Sequence, residues 1–104
     1  FPTNSTSFAN QVPLKVDNVR LSDGRQSGQV KLDFAPQKIA TIYEYRYRIR
    51  TDIPTEWGDR FTTTSSRSNI IAPLEVGKSS EVQVRAINPQ GVGDWSDSAN
   101  ILVR

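Results

Sequence analysis

Hydrophobic and polar residues alternate in several short runs of this chain, with a period of two. The clearest run is YEYRYRIR at 43–50, in which aromatic or aliphatic residues alternate with charged ones. The runs VKLDF at 30–34, EVQVRAI at 81–87 and ANILVR at 99–104 behave in the same way. Such alternation in β-branched and aromatic residues is typical of strands with one buried face. No window has a sustained 3.6-residue period, so the pattern predicts an all-β chain.

Turn-forming residues separate these runs at the spacing of a β-sandwich. The segments LKVDNVRL (14–21), DRFTT (59–63) and SNIIA (68–72) bring the number of predicted strands to seven. The residues predicted to form the core are Val30, Leu32, Phe34, Tyr43, Tyr45, Leu74, Val82, Val84 and Ala86. The side chains predicted to be exposed are Lys31, Glu44, Arg46, Arg48, Gln83 and Arg85.

A length of 104 residues predicts one domain with one core. Residues 1–11 are rich in Ser, Thr and Asn and are predicted to be a flexible N-terminal linker, which leaves residues 12–104 as the domain. Because the chain begins with Phe1 rather than Met, we expect it to be part of a longer protein. The triplet Asn4-Ser5-Thr6 makes Asn4 a candidate glycosylation site.

Composition removes several classes of chemistry. The chain has no histidine and no cysteine, which excludes the usual catalytic triads, disulfides and histidine or thiolate metal sites. The acidic residues are scattered, so we predict no enzyme activity, no metal and no cofactor. No stretch approaches the roughly 20 apolar residues that cross a bilayer, so no direct membrane insertion is expected.

The run at 43–50 raises the question of nucleic-acid binding, because it combines aromatic rings with cations. Strand alternation directs Tyr43, Tyr45 and Tyr47 towards the core or its rim and the arginines between them towards solvent. A nucleic-acid surface needs rings and cations on the same face, so that bases stack beside neutralised phosphates. The net charge is only +2, from 13 basic and 11 acidic residues. We therefore predict no nucleic-acid partner.

The order of several separated landmarks resembles that of a fibronectin type III domain across residues 12–104. The landmarks are Pro13, VKLDFAP at 30–36, YEYRYRI at 43–49, Trp57, IIAPLEVGKSSEVQVRAIN at 70–88 and GVGDWS at 91–96. The resemblance implies a seven-stranded immunoglobulin-like β-sandwich. Two positions depart from the family pattern: Phe34 replaces a tryptophan, and Ser80 replaces the tyrosine that usually holds the link between the fifth and sixth strands.

The outward arginines have two interpretations. One is a solvated sheet face with cross-strand ion pairs, for example with Glu81. The other follows from the resemblance, since some members of the superfamily stack a tryptophan on outward arginines of the sixth strand. Here Trp95 would stack on Arg85, with Arg46 as a continuation. Arg46, Arg48, Arg85 and Trp95 are therefore the candidate surface residues, with an expected structural role and a second possibility as a binding site.

The resemblance implies a non-catalytic module that acts as a spacer or a protein-interaction and adhesion domain. The expected setting is a larger extracellular, bacterial surface or secreted, or phage tail protein, located outside the cell, at its surface or in a virion. The expected partners are another protein or neighbouring domains of the same chain. One alternative is a ligand-binding ectodomain module of an animal receptor or adhesion protein. Another is an accessory carbohydrate-binding module that stacks a sugar on Trp57, although a half-buried aromatic of the fourth strand is the preferred interpretation of that residue.

Overall fold

The structure, a computed structural model, describes residues 11–50 and 56–104. These residues form strands, turns and irregular segments, with no helix among them, which confirms the all-β prediction. The strands are β1 (Arg20–Asp23), β2 (Val30–Asp33), β3 (Ile42–Ile49), β4 (Arg60–Thr63), β5 (Asn69–Ile71), β6 (Ser79–Asn88), β7 (Gly91–Val92) and β8 (Ala99–Leu102). Within the described ranges there is accordingly no helix that could span a membrane.

Two antiparallel sheets make up the sandwich. The smaller sheet has the order β1-β2-β5, and the larger has the order β4-β3-β6-β7, with β8 also paired to β6. Strands β3 and β6 form the longest ladder, which runs from the pair Ile42–Ile87 to the pair Ile49–Ser80. Because side chains on a strand alternate between faces, this ladder presents one apolar face to the other sheet and one polar face to solvent.

The core lies between the sheets and takes one side chain in two from the central strands. Leu32 on β2 and Val84 on β6 are 0% exposed. The ring of Phe34 meets the ring of Tyr43 edge to face, with 4.7 Å between their centres. Since Phe34 follows β2 and Tyr43 lies on β3, this contact joins the two sheets. The predicted core is correct for these residues.

Two residues of the predicted core are only partly buried. Tyr45 and Leu74 pack against the core cluster but keep part of their surface exposed. Tyr45 stacks on Phe61 of the edge strand β4 at 5.7 Å, and Phe61 is itself 41% exposed. Tyr45 therefore covers the side of the core rather than filling its centre.

The predicted exposed set also needs a correction. Lys31, Glu44, Arg46, Arg48, Gln83 and Arg85 all point outward as predicted, but each is half-buried rather than exposed. For the residues of β3 and β6, the reason is that they bond to one another across the ladder, and two tryptophans cover several of them.

The first and last parts of the predicted strand set differ from the structure. The strand expected at 14–21 is shifted to β1 (Arg20–Asp23), because Asn18 has a φ of 56°, which interrupts the extended backbone. Val16 remains buried although it lies outside any strand. An eighth strand, β7, pairs Val92 with Ile87. Two residues are too few to produce a recognisable alternation, so the sequence predicted only seven strands.

Backbone hydrogen bonds hold the link between β5 and β6, where Ser80 stands in place of the family's tyrosine. The Leu74 N–H donates to the Gly28 carbonyl at 2.8 Å, and the Gly77 N–H donates to the Val103 carbonyl at 2.9 Å. Gly28 has a φ of 80°, and a Cβ there would lie 3.1 Å from the Leu74 oxygen, so the close approach requires glycine. Ser80 itself is buried.

The predicted linker at 1–11 and the sequon at Asn4 lie outside the described residues, except for Gln11. The carbonyl of Gln11 accepts a hydrogen bond of 2.7 Å from the side-chain amide of Asn88. The same amide donates to the Ile39 carbonyl at 3.1 Å. Asn88 is buried, so these bonds satisfy its side chain and attach the chain to the end of β6 from Gln11 onwards.

Candidate interaction surface

The outward face of the larger sheet carries three cross-strand pairs between β3 and β6. Glu44 lies opposite Arg85, Arg46 opposite Gln83, and Arg48 opposite Glu81. Directly opposed side chains on an antiparallel pair have Cβ atoms about 4.5–5.5 Å apart, close enough for hydrogen bonds between long polar side chains. The register of the ladder therefore determines which groups meet on this face.

The two outer pairs are ion pairs. The Arg48 Nε donates to Glu81 Oε1 at 2.7 Å, and the Arg85 Nε donates to Glu44 Oε1 at 2.7 Å. The side chains of Arg48 and Glu81 are 20% and 15% exposed, and those of Arg85 and Glu44 are 19% and 15% exposed. These pairs are shielded from solvent more than ordinary surface ion pairs, which typically contribute about 0–1 kcal/mol.

The central pair is different, because its acceptor is neutral. The Arg46 Nε and one terminal nitrogen both donate to Gln83 Oε1, at 3.2 and 2.7 Å. On its other side Arg46 lies opposite Arg60 of β4. Burial lowers the pKa of Arg46, as do the positive charges of Arg85, Arg48 and Arg60, while Glu44 opposes the shift. The centre of the face therefore holds one positive charge with no carboxylate directly opposite.

Both tryptophans of the chain stack on these arginines. The Cζ of Arg46 lies 4.0 Å from the centre of the Trp95 ring, and that of Arg85 lies 4.3 Å from it. The Cζ of Arg48 lies 4.0 Å from the Trp57 ring, and that of Arg46 lies 4.6 Å from it. These contacts connect Arg48, Trp57, Arg46, Trp95 and Arg85 in that order, and we call these five residues the ladder. Each contact is a cation–π interaction of about 0.5–2 kcal/mol.

Strand geometry explains why the rings fit. Alternate side chains on one face of a strand are about 6.5–7 Å apart, which leaves room for one ring between Arg46 and Arg48. Arg46 and Arg85 are diagonal neighbours across β3 and β6, at a comparable separation. The alternation that separates tyrosines from arginines thus also spaces the arginines for intercalated rings.

Each tryptophan is followed by a residue that hydrogen-bonds to the sheet backbone. Ser96 is 2% exposed, and its hydroxyl accepts the Val84 N–H at 3.0 Å and donates to the Asp97 carbonyl at 3.0 Å. The Ser96 N–H also donates to the Val84 carbonyl at 2.8 Å. The Gly58 N–H donates to the Tyr47 carbonyl at 3.1 Å. These bonds hold each indole at the edge of the strand whose arginines it covers.

The glycine before Trp95 is required by a close backbone approach. A Cβ on Gly93 would lie 2.7 Å from the Pro13 oxygen and 3.3 Å from the Ala86 oxygen. The Gly93 N–H donates to that Ala86 carbonyl at 2.8 Å, which continues the pairing with β6 between β7 and β8. The motif GVGDWS therefore brings the chain back alongside β6 before it reaches Trp95.

The structure brings the four candidate residues together, since Arg46, Arg48, Arg85 and Trp95 all belong to the ladder. Sequence reasoning missed Trp57, which it assigned to the fourth strand. Trp57 is half-buried as expected, but it precedes β4 and covers the outward face. The strand alternation offered no signal for a ring that arrives from a loop.

The position of the tryptophans also changes the argument about nucleic acids. Tyrosines and arginines are separated by the sheet as predicted, but Trp57 and Trp95 place rings on the arginine side. Those rings already stack on guanidinium groups, and Arg48 and Arg85 are already paired with carboxylates. The absence of a nucleic-acid partner stays a prediction, now supported by this internal pairing.

The part of the chain at 11–50 and 56–104 contains no group of three or more carboxylate, histidine or cysteine side chains arranged to hold a metal. In the same part every buried side-chain nitrogen and oxygen has a hydrogen-bond partner. Each of the three arginines of the ladder donates a hydrogen bond across the strands, Arg46 to Gln83, Arg48 to Glu81 and Arg85 to Glu44.

Comparison with known proteins identifies the fold. No family model and no curated protein matches the chain. Among solved structures, the FN1–FN3 domains of chicken CNTN1 match with a TM-score of 0.76 at 20% identity, over 89% of this chain and 31% of that one. A structure titled FN3tt mut matches with a TM-score of 0.73 at 16% identity, over 88% and 97% of the two chains. The FN5 domain of Drosophila Lar matches with a TM-score of 0.68 at 18% identity, over 86% and 95%.

These likenesses, together with the sheet orders, establish that the chain has the fibronectin type III fold, an immunoglobulin-like β-sandwich. The matches with the FN3tt and Lar structures cover nearly the whole of those chains. In contrast, this chain spans 31% of the length of the CNTN1 structure. The resemblance inferred from the sequence is therefore confirmed at the level of the fold.

Proposed function

We propose that this domain is a non-catalytic fibronectin type III module that serves as a spacer or a protein-interaction and adhesion domain within a larger protein. The proposed location is extracellular, at a cell surface or in a virion. The observation that carries the proposal is the match to CNTN1, in which a domain of this shape accounts for 31% of a chain that contains FN1–FN3. A fold of this kind is repeated along a chain, and each copy takes its role from the surfaces that it exposes.

The ladder supports the spacer component. Its arginines stack on the tryptophans and pair with residues of the neighbouring strand, so these side chains are engaged within the sheet. A domain whose surface cations are engaged internally keeps its shape while neighbouring domains bind or move. The ladder is proposed to be structural, and the alternative role as a binding hot spot is tested below.

A carbohydrate-binding function receives less support. A sugar would stack on an exposed aromatic ring, and Trp57 was the candidate platform. Two guanidinium groups already lie within 4.6 Å of the centre of that ring. A sugar would have to displace cation–π contacts before it could stack.

A domain replacement tests the proposed function. Residues 12–104 are exchanged, within the full protein, for an unrelated fibronectin type III domain of similar length. A spacer predicts that the replacement restores the activity that a deletion removes. An interaction domain predicts that only the original sequence restores it. If neither deletion nor replacement changes the activity of the full protein, the proposed function is wrong.

A further inference from the structure

The outer face of the smaller sheet and its adjoining loops carry four cations that form no ion pair with the described residues. Two adjoining depressions lie there, of about 520 and 440 Å³, and Lys31 and Ser68 line both. The first also contains Arg20 and Arg67, and the second contains Arg25. We call the two depressions together the basic groove.

The cations of the basic groove form no ion pair within the described part of the chain. The side-chain nitrogens of Arg20, Arg25, Lys31 and Arg67 make neither a salt bridge nor a hydrogen bond there, and Arg67 bonds to the Ser65 side chain only through its backbone. This differs from the ladder, in which each arginine has a hydrogen-bond partner and a ring. Cations without partners remain free to meet carboxylates from another molecule.

The groove accounts for the charge excess of the chain. Its lining has four cations and two carboxylates, Asp23 and Asp33, which leaves an excess of two positive charges. The whole chain has a net charge of +2, so the other residues balance one another. A partner that complements the groove therefore brings about two more anions than cations.

Two residues with an unusual backbone conformation line the first depression of the groove. Asn18 and Ser68 are the two described residues other than glycine with a positive φ, of 56° and 58°, and both line the first depression. The Ser68 N–H donates to Asp33 Oδ1 at 2.8 Å, which fixes this carboxylate against the loop. Asp33 keeps its negative charge and lies directly opposite Arg20 in the β1–β2 ladder, but it forms no ion pair with any of the four cations. The groove therefore keeps its excess of two positive charges.

The mixed lining favours a peptide over a dense polyanion. Ile70 lies in the second depression with 41% of its surface exposed, which offers an apolar contact among the charges. The carboxylates of Asp23 and Asp33 would repel a continuous row of sulfates or phosphates. An extended peptide with carboxylates separated by neutral residues avoids this repulsion and can place an aliphatic side chain on Ile70.

We infer that the basic groove binds an acidic peptide segment of a partner protein, in which two carboxylates flank an aliphatic residue. Side chains two apart in an extended peptide lie on the same face, so the pattern Glu-x-Leu-x-Glu presents all three groups to the groove. The inference rests on the proposed function as an interaction module and names the surface and the partner chemistry for it.

The experiment is a titration of the ¹⁵N-labelled 104-residue chain with a capped heptapeptide of the pattern Glu-x-Leu-x-Glu, in which the other residues are glycine and serine. Saturable shifts are expected for the amides of Lys31, Ser68 and Ile70, and none for Arg46 and Trp95. Arg67→Gln and Lys31→Gln are each expected to weaken binding about fivefold, the effect of losing one partly exposed charge pair. Lys38→Gln removes an exposed cation outside the groove and is the matched control, with unchanged affinity.

Several results would overturn the inference. The same peptide with glutamine for glutamate must lose binding, and retained binding would exclude recognition by charge. Equal losses in Lys38→Gln and Arg67→Gln would indicate unspecific attraction. A heparin hexasaccharide that shifts the groove amides while the peptide does not would assign the groove to a sulfated polysaccharide. Amide shifts confined to the ladder would contradict peptide binding at the groove but would remain consistent with a function as an interaction module.

The domain replacement separates the two proposals. If only the original sequence restores the activity of the full protein, while a variant with Arg67→Gln and Lys31→Gln is fully active, the groove inference fails and the proposed function stands. If an unrelated domain restores the activity of the full protein, residues 12–104 act as a spacer and that activity does not need a partner at the groove.

Discussion

The two outer faces of the sandwich use their cations in opposite ways. On the larger sheet, Arg48 and Arg85 pair with glutamates across the strand and stack on tryptophans. Around the smaller sheet, Arg20, Lys31 and Arg67 form no ion pair and stack on no tryptophan among the described residues, although Arg20 lies directly opposite Asp33 in the β1–β2 ladder. The same residue types are therefore bonded within the fold on one face and left without an ion pair on the other.

The largest loss of stability is expected from removing the contact between Phe34 and Tyr43, which joins the two sheets. Phe34→Ala should lower the free energy of unfolding by about 3–5 kcal/mol, because Phe34 is 5% exposed and joins the two sheets through Tyr43. Denaturation by urea, followed by circular dichroism, measures the loss. A loss below about 1 kcal/mol would mean that the core is not continuous between the sheets.

The next effect is specific to the larger sheet. Trp95→Ala should cost about 2–4 kcal/mol, because the ring gives up two cation–π contacts and uncovers Arg46 and Arg85. Val92→Ala, three residues earlier in strand β7, is the control and should cost little, since Val92 is 47% exposed. The binding of the acidic peptide should be unchanged in the stable fraction of the Trp95 variant. An unchanged unfolding midpoint, with loss of a natural partner, would make Trp95 a binding hot spot instead.

A matched pair of substitutions compares the cations of the two faces directly. Arg46→Gln should cost about 1–2 kcal/mol, because Arg46 contacts both tryptophans and donates to Gln83. Arg67→Gln makes the same chemical change in the basic groove and should alter stability by less than about 0.5 kcal/mol. Thermal unfolding of the two variants at the same pH gives the comparison. Equal losses would contradict the distinction between the faces.

The smallest expected effect is a gain in the free energy of unfolding. Gln83→Glu places a carboxylate opposite Arg46, whose pKa is lowered by burial and by neighbouring cations, and should stabilise the domain by about 0.5–1 kcal/mol. The gain should shrink at high salt, because screening weakens partly exposed charge pairs. Gln90→Glu, at an exposed position away from the ladder, is the control and should give no such gain.

The strands with a strong hydrophobic–polar alternation were predictable from the sequence. The strand boundaries set by the backbone conformation of a single residue were not. Strand β3 was predicted within one residue of its observed bounds, and β6 within two residues, because both alternate over seven or more residues. Strand β1 was misplaced because the positive φ of Asn18 leaves no trace in a hydrophobic pattern. Local periodicity detects long strands and misses single-residue breaks.

The candidate surface was predictable to the extent that it lies on strands. Arg46, Arg48 and Arg85 follow from the alternation, and Trp95 followed from the family pattern. Trp57 reaches the same face from a loop, and the groove combines Arg20, Lys31 and Arg67 from three separated segments. Such sites form only when the sheet is assembled, so one-dimensional spacing does not contain them.

Both tryptophans of the chain belong to the ladder, and this has a spectroscopic consequence. The chain has two tryptophans in all, and each ring lies within 4.6 Å of guanidinium carbons on the outer face of the larger sheet. Intrinsic tryptophan fluorescence therefore monitors that face alone, while the core contributes only tyrosine and phenylalanine emission. If the ladder opens before the sandwich unfolds, the transition followed by tryptophan fluorescence will precede the transition followed by far-ultraviolet circular dichroism. The difference between the two midpoints then measures how independently the ladder opens.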